Sequence, residues 1–259
     1  MIRFRSIGSG SGGNATVVEA SSGITTTRLL VDAGFTLKEL DLRLARAGLG
    51  ACDLDAVFVT HEHGDHIGCA ISLAERERLP LWMSRGTWRA TGGFGAPATL
   101  RFARDGEAIA IGDIEVHPFT VAHDAAEPLQ LRCSDGSMRL AVLTDLGSIT
   151  AHMIDNVTGC DAIVLECNHD ADLLAQSRYP ASLKARIGGR FGHLSNATAA
   201  EILARCASAR LQHVVAAHLS RENNRPDLAR AALGACLGGA GEAIIVADPS
   251  TGFEWLSLG

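Results

Sequence analysis

A four-layer α/β body, with two sheets face to face and helices outside, is the fold class that this 259-residue sequence predicts. Three observations lead there. Short runs of β-branched and aliphatic residues, punctuated by glycine and serine, recur along the chain. Helical periodicity appears between some of these runs. The strand-rich style of the first half returns in the second, which is not the organisation of a doubly wound parallel sheet.

In the first half "MIRFRSI", "NATVVEA", "RLLVDA" and "AVFVT" read as strands, and 36–48 and 65–78 as helices. Further strands are expected at 98–103, 108–122, 129–133 and 138–144. The second half offers a strand at 162–167, a helix near 196–211, a strand at 213–219 and a helix at 226–238. It closes with "AIIVAD" and "FEWLSL". No low-complexity linker or short-period repeat interrupts this order, so residues 1–259 are expected to form a single domain.

Apolar residues make up 47% of the chain, enough for a sizeable core. The formal net charge of −6 argues against coating nucleic acid by bulk electrostatics, but leaves room for a local basic groove. No apolar run approaches a membrane span, so no membrane partner is expected. The N-terminus lacks the long apolar core of a secretory signal. The seven cysteines are odd in number, scattered and never spaced as CxxC, which predicts reduced, buried thiols in a cytoplasmic protein. The sequence leaves the assembly open, with a homodimer among the options.

Gly8, Gly10 and Gly13 match GxGxxG, with Asp32 about twenty residues on, as a dinucleotide fingerprint requires. The context fails, because "NATVVEA" reads as a strand where the pyrophosphate needs a helix N-terminus. A glycine-rich hairpin turn beside the active site is expected instead.

The chemistry concentrates in "FVTHEHGDHIG", residues 58–68. His61 and His63 stand at i, i+2 directly after an apolar strand, where extended backbone lets both lean toward one point. Asp65 and His66 follow a turn allowed by Gly64. Two pairs of ligands with different directions suit two adjacent metals, and imidazole with carboxylate fits Zn, Mn or Fe. His123, Asp145, His218 and Asp32 each close an apolar strand in the same style.

In that order, Asp32, "THEHGDH", His123, Asp145 and His218 resemble the five motifs of the metallo-β-lactamase superfamily, over nearly the whole chain. The resemblance implies an αββα sandwich with its site at the sheet edge. It assigns His61, His63 and His123 to one divalent ion, and Asp65, His66 and His218 to the other. Asp145 bridges them, and Asp32 orients ligands or touches the water. Two cations ~3.5–4 Å apart clamp an oxyanion and share one hydroxide as nucleophile. Zinc brings bound water to a pKa of about 7.

"VLECNHDADLL" (164–174), "YPASLKARIGGRFGHLSN" (179–196) and "AHLSRENN" (217–224) resemble the YycJ/WalJ-like branch of single-domain DNA exonucleases. "GSGSGGN" and "HDAAEP" (123–128) fit it as well. The arrangement is also similar to ribonuclease Z, which pairs a glutamate and a histidine near the metals; the candidates here are Glu166 and His193. A protonated His193 would donate to the leaving oxygen. His169 and Asp170 either face the metals or cap the following helix.

Between Asp172 and Glu201 there is no acidic residue, while Arg178, Lys184, Arg186 and Arg190 all fall there. Lys184, Arg186 and Arg190, with Ser220, Asn223 and Asn224 after His218, are the candidate substrate contacts. Arg221 is of the same kind. Arg85, Arg89, Arg101 and Arg104 interleave with Trp82, Trp88 and Phe94, either to hold phosphates and stack bases or as an ordinary face over core aromatics.

These residues predict a dinuclear metal-dependent phosphodiesterase using a metal-bridging hydroxide, and the resemblance to the YycJ/WalJ-like branch implies an exonuclease acting on DNA ends. Asp65, His193, Glu166 and Asp32 are its catalytic candidates. The alternatives are a small-molecule cyclic phosphodiesterase, a glyoxalase-II-like thioester hydrolase, or a metal-binding scaffold without turnover. No stretch resembles the separate helical substrate domain of glyoxalase II. The 73 positions from Asp145 to His218 are too few for the insert of β-CASP nucleases.

Overall fold

A computed structural model describes residues 1–93, 95–239 and 241–259. The chain packs as two compact units: residues 1–120, 125–138 and 248–259 make the first, and 121–124 with 139–247 the second.

In the first unit, strands β1 (Ile2–Gly8), β2 (Ala15–Ser21) and β3 (Thr26–Val31) form an antiparallel meander. Strands β4 (Ala56–Phe58), β5 (Leu81–Met83) and β6 (Leu100–Phe102) continue parallel to β3, with the short helix α4 (Arg85–Ala90) between β5 and β6. A strand near the C-terminus, β14 (Leu256–Leu258), covers the other side of β1. Register sets one apolar row across five strands, with Val17 opposite Leu30, Leu30 opposite Val57, Val57 opposite Leu81 and Leu81 opposite Leu100. Helices α1 (Leu37–Arg46) and α3 (Ala70–Glu77) pack on that face through Leu40, Leu44, Leu73 and Ala74. Burying each such leucine or valine contributes about 1.5–3 kcal/mol. The start of α1 is fixed by Thr36, whose side chain accepts from the Glu39 amide, and the chain leaves it through Gly48 at φ +77°.

Two expected elements are each divided. The helix expected over 65–78 is α2 (Gly64–Ile67) followed by α3. Gly68 breaks it at φ +32°, where a side chain would collide with the Ala33 carbonyl, and Cys69 donates to that carbonyl instead (3.0 Å). The strand expected over 108–122 is a hairpin of β7 (Ile109–Ile111) and β8 (Ile114–Thr120), turning at Gly112 and Asp113. Gly112 has φ +52°, the left-handed backbone that a two-residue hairpin turn needs. Strand β9 (Leu129–Ser134) pairs antiparallel with β8.

In the second unit, β10 (Arg139–Leu143), β11 (Ala162–Glu166), β12 (His213–Ala217) and β13 (Ile245–Val246) all run parallel. Helices α5 (Ala151–Val157), α6 (Ala171–Gln176), α7 (Ala181–Ile187), α8 (Asn196–Cys206) and α9 (Pro226–Cys236) connect them. In each unit, parallel strands end on a common edge, where side chains from neighbouring strands converge. No helix among the described residues is long and apolar enough to cross a membrane. All seven cysteines are free thiols, and five of them are buried.

Glu19 on β2 stands directly opposite Arg3 on β1 and Arg28 on β3. It accepts from both guanidiniums, at 2.6 and 2.7 Å. Burial pushes its carboxyl up, but the two arginines outweigh that and hold it below its ordinary value. A depressed pKa gives stability that is complete above the unfolded value of about 4.3 and is lost as pH falls through the folded one. Glu19→Gln should therefore melt earlier than wild type at pH 7, by about 1 kcal/mol. The difference should shrink below pH about 4 in melts across pH.

Candidate metal centre

The non-glycine residues with left-handed backbone among the described residues are Asp32 (φ +62°), Arg78 (+57°), Asp145 (+59°) and His218 (+54°). Asp32 directly follows β3 and His218 directly follows β12, while Asp145 stands two residues past β10. Such backbone is disfavoured for residues with a Cβ and survives only where its surroundings over-determine it. Three of the four are therefore strand-end residues aimed by backbone strain.

In the first unit the motif is tied to Asp32. Its carboxylate accepts from the Thr60 amide (2.8 Å), the Thr60 hydroxyl (2.9 Å) and His66 Nδ1 (2.7 Å). With the hydroxyl hydrogen spent on Asp32, Thr60 Oγ1 accepts from His61 Nδ1 (3.0 Å). Both imidazoles thus use Nδ1 on a fixed protein partner and carry the Nε2 lone pair elsewhere. The His61 ring lies 4.2 Å from that of His66 and 4.6 Å from that of His63, centroid to centroid. Asn14 holds the second half of the motif: its backbone amide and side-chain amide both donate to the Asp65 carbonyl (2.8 and 3.2 Å), and its side chain lies 3.0 Å from His66 Nε2. The loop carrying Asn14, which includes Gly10 and Gly13 and follows Gly8 at the end of β1, joins antiparallel β1 and β2, as the hairpin reading expects. Gly34 faces the Asp65 carbonyl so closely that a Cβ would collide with it.

In the second unit Glu166, the last residue of β11, is fully buried. One oxygen, Oε1, accepts from His193 Nδ1 (2.8 Å) and His218 Nδ1 (3.1 Å). The other, Oε2, accepts from the Leu146 and Leu194 amides (2.7 and 3.3 Å). Asp145 Oδ1 lies 3.0 Å from His193 Nδ1 and 2.9 Å from His218 Nδ1. Ligand atoms of Asp145, Glu166, His193 and His218 all fall within 4.8 Å of one another. His123 donates from Nδ1 to the Gly192 carbonyl (3.0 Å), and its Nε2 lies 3.4 Å from Asp124 Oδ1. Burial pushes the His123 imidazole below its usual value, so it stays neutral and able to ligate. His193 is opposed by burial, but Glu166 and Asp145 outweigh it and push its pKa up to about 10.

These donors fit a divalent cation. His66 and His218 each spend Nδ1 on a buried carboxylate, His123 on a carbonyl and His61 on a hydroxyl, the orientation by which metal-binding histidines are fixed. Imidazole and carboxylate without thiolate suit Zn, Mn or Fe.

The candidate substrate contacts divide. Lys184 donates to the Ala175 carbonyl (2.6 Å), and Arg186 pairs with Asp124 (2.7 Å). Arg190 is exposed, with its guanidinium 5.4 Å from the Phe191 ring. Ser220 accepts from the Asn223 amide (3.2 Å); Asn223 and Asn224 are both buried. Asn224 donates to the Cys167 carbonyl (2.6 Å) and exchanges amide bonds with Asn196 (2.9 Å). Asp170 caps α6 by accepting from the Asp172 and Leu173 amides, whereas His169 is buried with no hydrogen bond at Nδ1. Trp88 sits in the core, Arg85 stacks on Phe102 at 4.2 Å, and Phe94 lies outside the described residues. Thr60 and Asn14 escaped the sequence reading as site residues. Their signals, a threonine before the first motif histidine and an asparagine ending a glycine run, are weak alone.

Left-handed strand ends, imidazoles braced at Nδ1 and carboxylates buried to brace them define a metallohydrolase edge. A family model described as a beta-lactamase superfamily domain matches residues 27–218, and the chain belongs to that superfamily. Within it, the chain is YycJ/WalJ-like. It is 36% identical over 254 residues to exodeoxyribonuclease YycJ of Bacillus anthracis, covering 95% of each chain. It is 34% identical over 232 residues to exodeoxyribonuclease WalJ of Streptococcus pneumoniae, covering 88% of this chain and 85% of that one. Among solved structures, the metallo-β-lactamase fold protein YhfI of Bacillus subtilis superposes with a TM-score of 0.74 at 18% identity, covering 99% and 100% of the two chains. Zn(2+)-bound PqqB of Methylobacterium extorquens gives 0.72 at 16%, with the same coverage. The fold is thus the α/β sandwich of the metallo-β-lactamase type.

Two outcomes follow from the geometry. Asp32→Asn keeps a residue that tolerates left-handed backbone but removes the charge bracing His66. Metal affinity, read by competition with a chromophoric chelator, should fall about 10–100-fold. Gly34→Ala should displace the 63–67 turn and lower stability by about 2 kcal/mol, seen as an earlier thermal transition.

Proposed function

We propose that this chain is a divalent-metal-dependent exodeoxyribonuclease. The observation that carries this reading is the likeness to exodeoxyribonuclease YycJ over 95% of both chains. In this reading the ligands for two divalent ions are His61, His63, Asp65 and His66 in the first unit and His123, Asp145 and His218 in the second. When bound, such ions would lower the pKa of an attacking water and offset charge building on the phosphoryl oxygens. Asp32 and Glu166 act through the histidines they brace, fixing which nitrogen faces the ions. His193 is the proton donor to the departing oxygen, and its pKa of about 10 keeps it protonated at neutral pH. Exposed Arg190 supplies phosphate contact. Seven free thiols support a cytoplasmic location.

The test is nucleotide release from end-labelled duplex DNA by manganese-loaded protein, with Asp145→Ala purified alongside. Release by wild type, reduced at least 1000-fold in the variant, is expected. Equal release by both would assign the activity to a contaminant. Silence from a fully metal-loaded wild type would remove the DNA-end reading.

A further inference from the structure

The loop between α7 and His193, "GGRFGH" (188–193), is pinned on both sides. The Gly192 amide donates to the Gly189 carbonyl (2.9 Å), His193 N donates to Ile187 O (2.8 Å), and Gly192 O receives His123 Nδ1 (3.0 Å). A Cβ on Gly192 would collide with the Arg186 and Ile187 carbonyls, and one on Gly147 with the Arg190 carbonyl. Backbone this crowded leaves positions 147 and 192 no room for a side chain. It nevertheless holds Phe191 52% exposed. The other large apolar side chains exposed among the described residues are Met1, Ile24 and Leu42, so Phe191 is the aromatic one. It stands two residues before His193, a span of roughly 7 Å. Arg190 places its guanidinium 5.4 Å from the ring centroid.

An exposed aromatic ring on a hydrogen-bonded loop beside His193, with a cation at hand, has the composition of a single-strand binding surface. Every nucleobase presents a π-face, so stacking tolerates any sequence, and arginine adds phosphate pairing. The tryptophans at 82 and 88 do not offer this, since Trp88 is buried in the core and Trp82 lines a cavity with Thr27, Pro80 and Arg101, at the end of β3 opposite Asp32.

We propose that Phe191 is the stacking platform for a nucleobase next to the scissile phosphate, with Arg190 pairing a neighbouring phosphate. This rests on the nuclease reading given above. The ligand class is a single-stranded DNA end, and the contact is sequence-tolerant.

The experiment measures KM and kcat for nucleotide release from end-labelled single strands by wild type, Phe191→Ala and Phe191→Trp. Matched strands carry either ordinary nucleotides or abasic sites at the attacked end. Phe191→Ala should raise KM on the order of ten-fold on ordinary strands, and Phe191→Trp should restore it. On abasic ends, wild type and Phe191→Ala should coincide. A KM unchanged in Phe191→Ala, or a defect equally large on abasic ends, overturns the stacking role while leaving the nuclease intact. Release by wild type from duplex DNA but from no single strand overturns this inference alone, and absence of release from both removes the nuclease reading with it.

Discussion

Burying an ionised carboxylate at the end of β3 sets the terms for the whole HxHxDH segment. Asp32 is 3% exposed, and an unpaired charge at that depth would cost several kcal/mol. The chain answers with a backbone amide, a hydroxyl and an imidazole, all supplied by residues 60–66. Meeting that demand fixes Thr60, and Thr60 fixes His61. The positive φ of Asp32 aims the carboxylate at these donors in place of open solvent. Asn14 and Gly34 then press on the turn from the other side, one by hydrogen bonds and one by having no side chain.

Glu166 solves the same problem in the second unit with different partners. Four donors converge on its two oxygens, two imidazoles and two amides. Burial works against the ionisation of Glu166, and Asp145 adds a second negative charge beside it, but His193 and His218 outweigh both and hold the carboxyl below its ordinary value. Cationic partners relieve that repulsion, and the protonated His193 is one. A divalent ion at the Nε2 side of His218 would be another, so the electrostatics of this cluster favour metal loading without any thiolate.

The parts of the site legible in the sequence are those whose signal is local. His61, His63, Asp65 and His66 crowd one turn after an apolar strand, and Asp32, Asp145 and His218 each close such a run. What stayed hidden depends on contacts far apart in the chain. Asn14 matters because residue 65 comes to it, and Gly68 breaks the expected helix because Ala33 lies against it. The hairpin inside 108–122 carried a legible signal in Gly112–Asp113, but β-branched residues on both sides masked it. Lys184 and Arg186 looked alike as phosphate ligands, yet one satisfies a carbonyl at the end of α6 and the other pairs with Asp124. Charge is readable from sequence; what a charge is already spent on is not.

The divided bonding of Glu166 has a bearing on how this scaffold diversifies. Its carboxylate ties the loop after β10, the loop reaching Leu194 and the loop opened by His218 into one knot. None of these loops can be lengthened or retracted alone without unpairing a buried charge. New substrate preferences in such a protein are therefore expected to arise from exchanged side chains along the outer rim, with the loop backbones inherited unaltered.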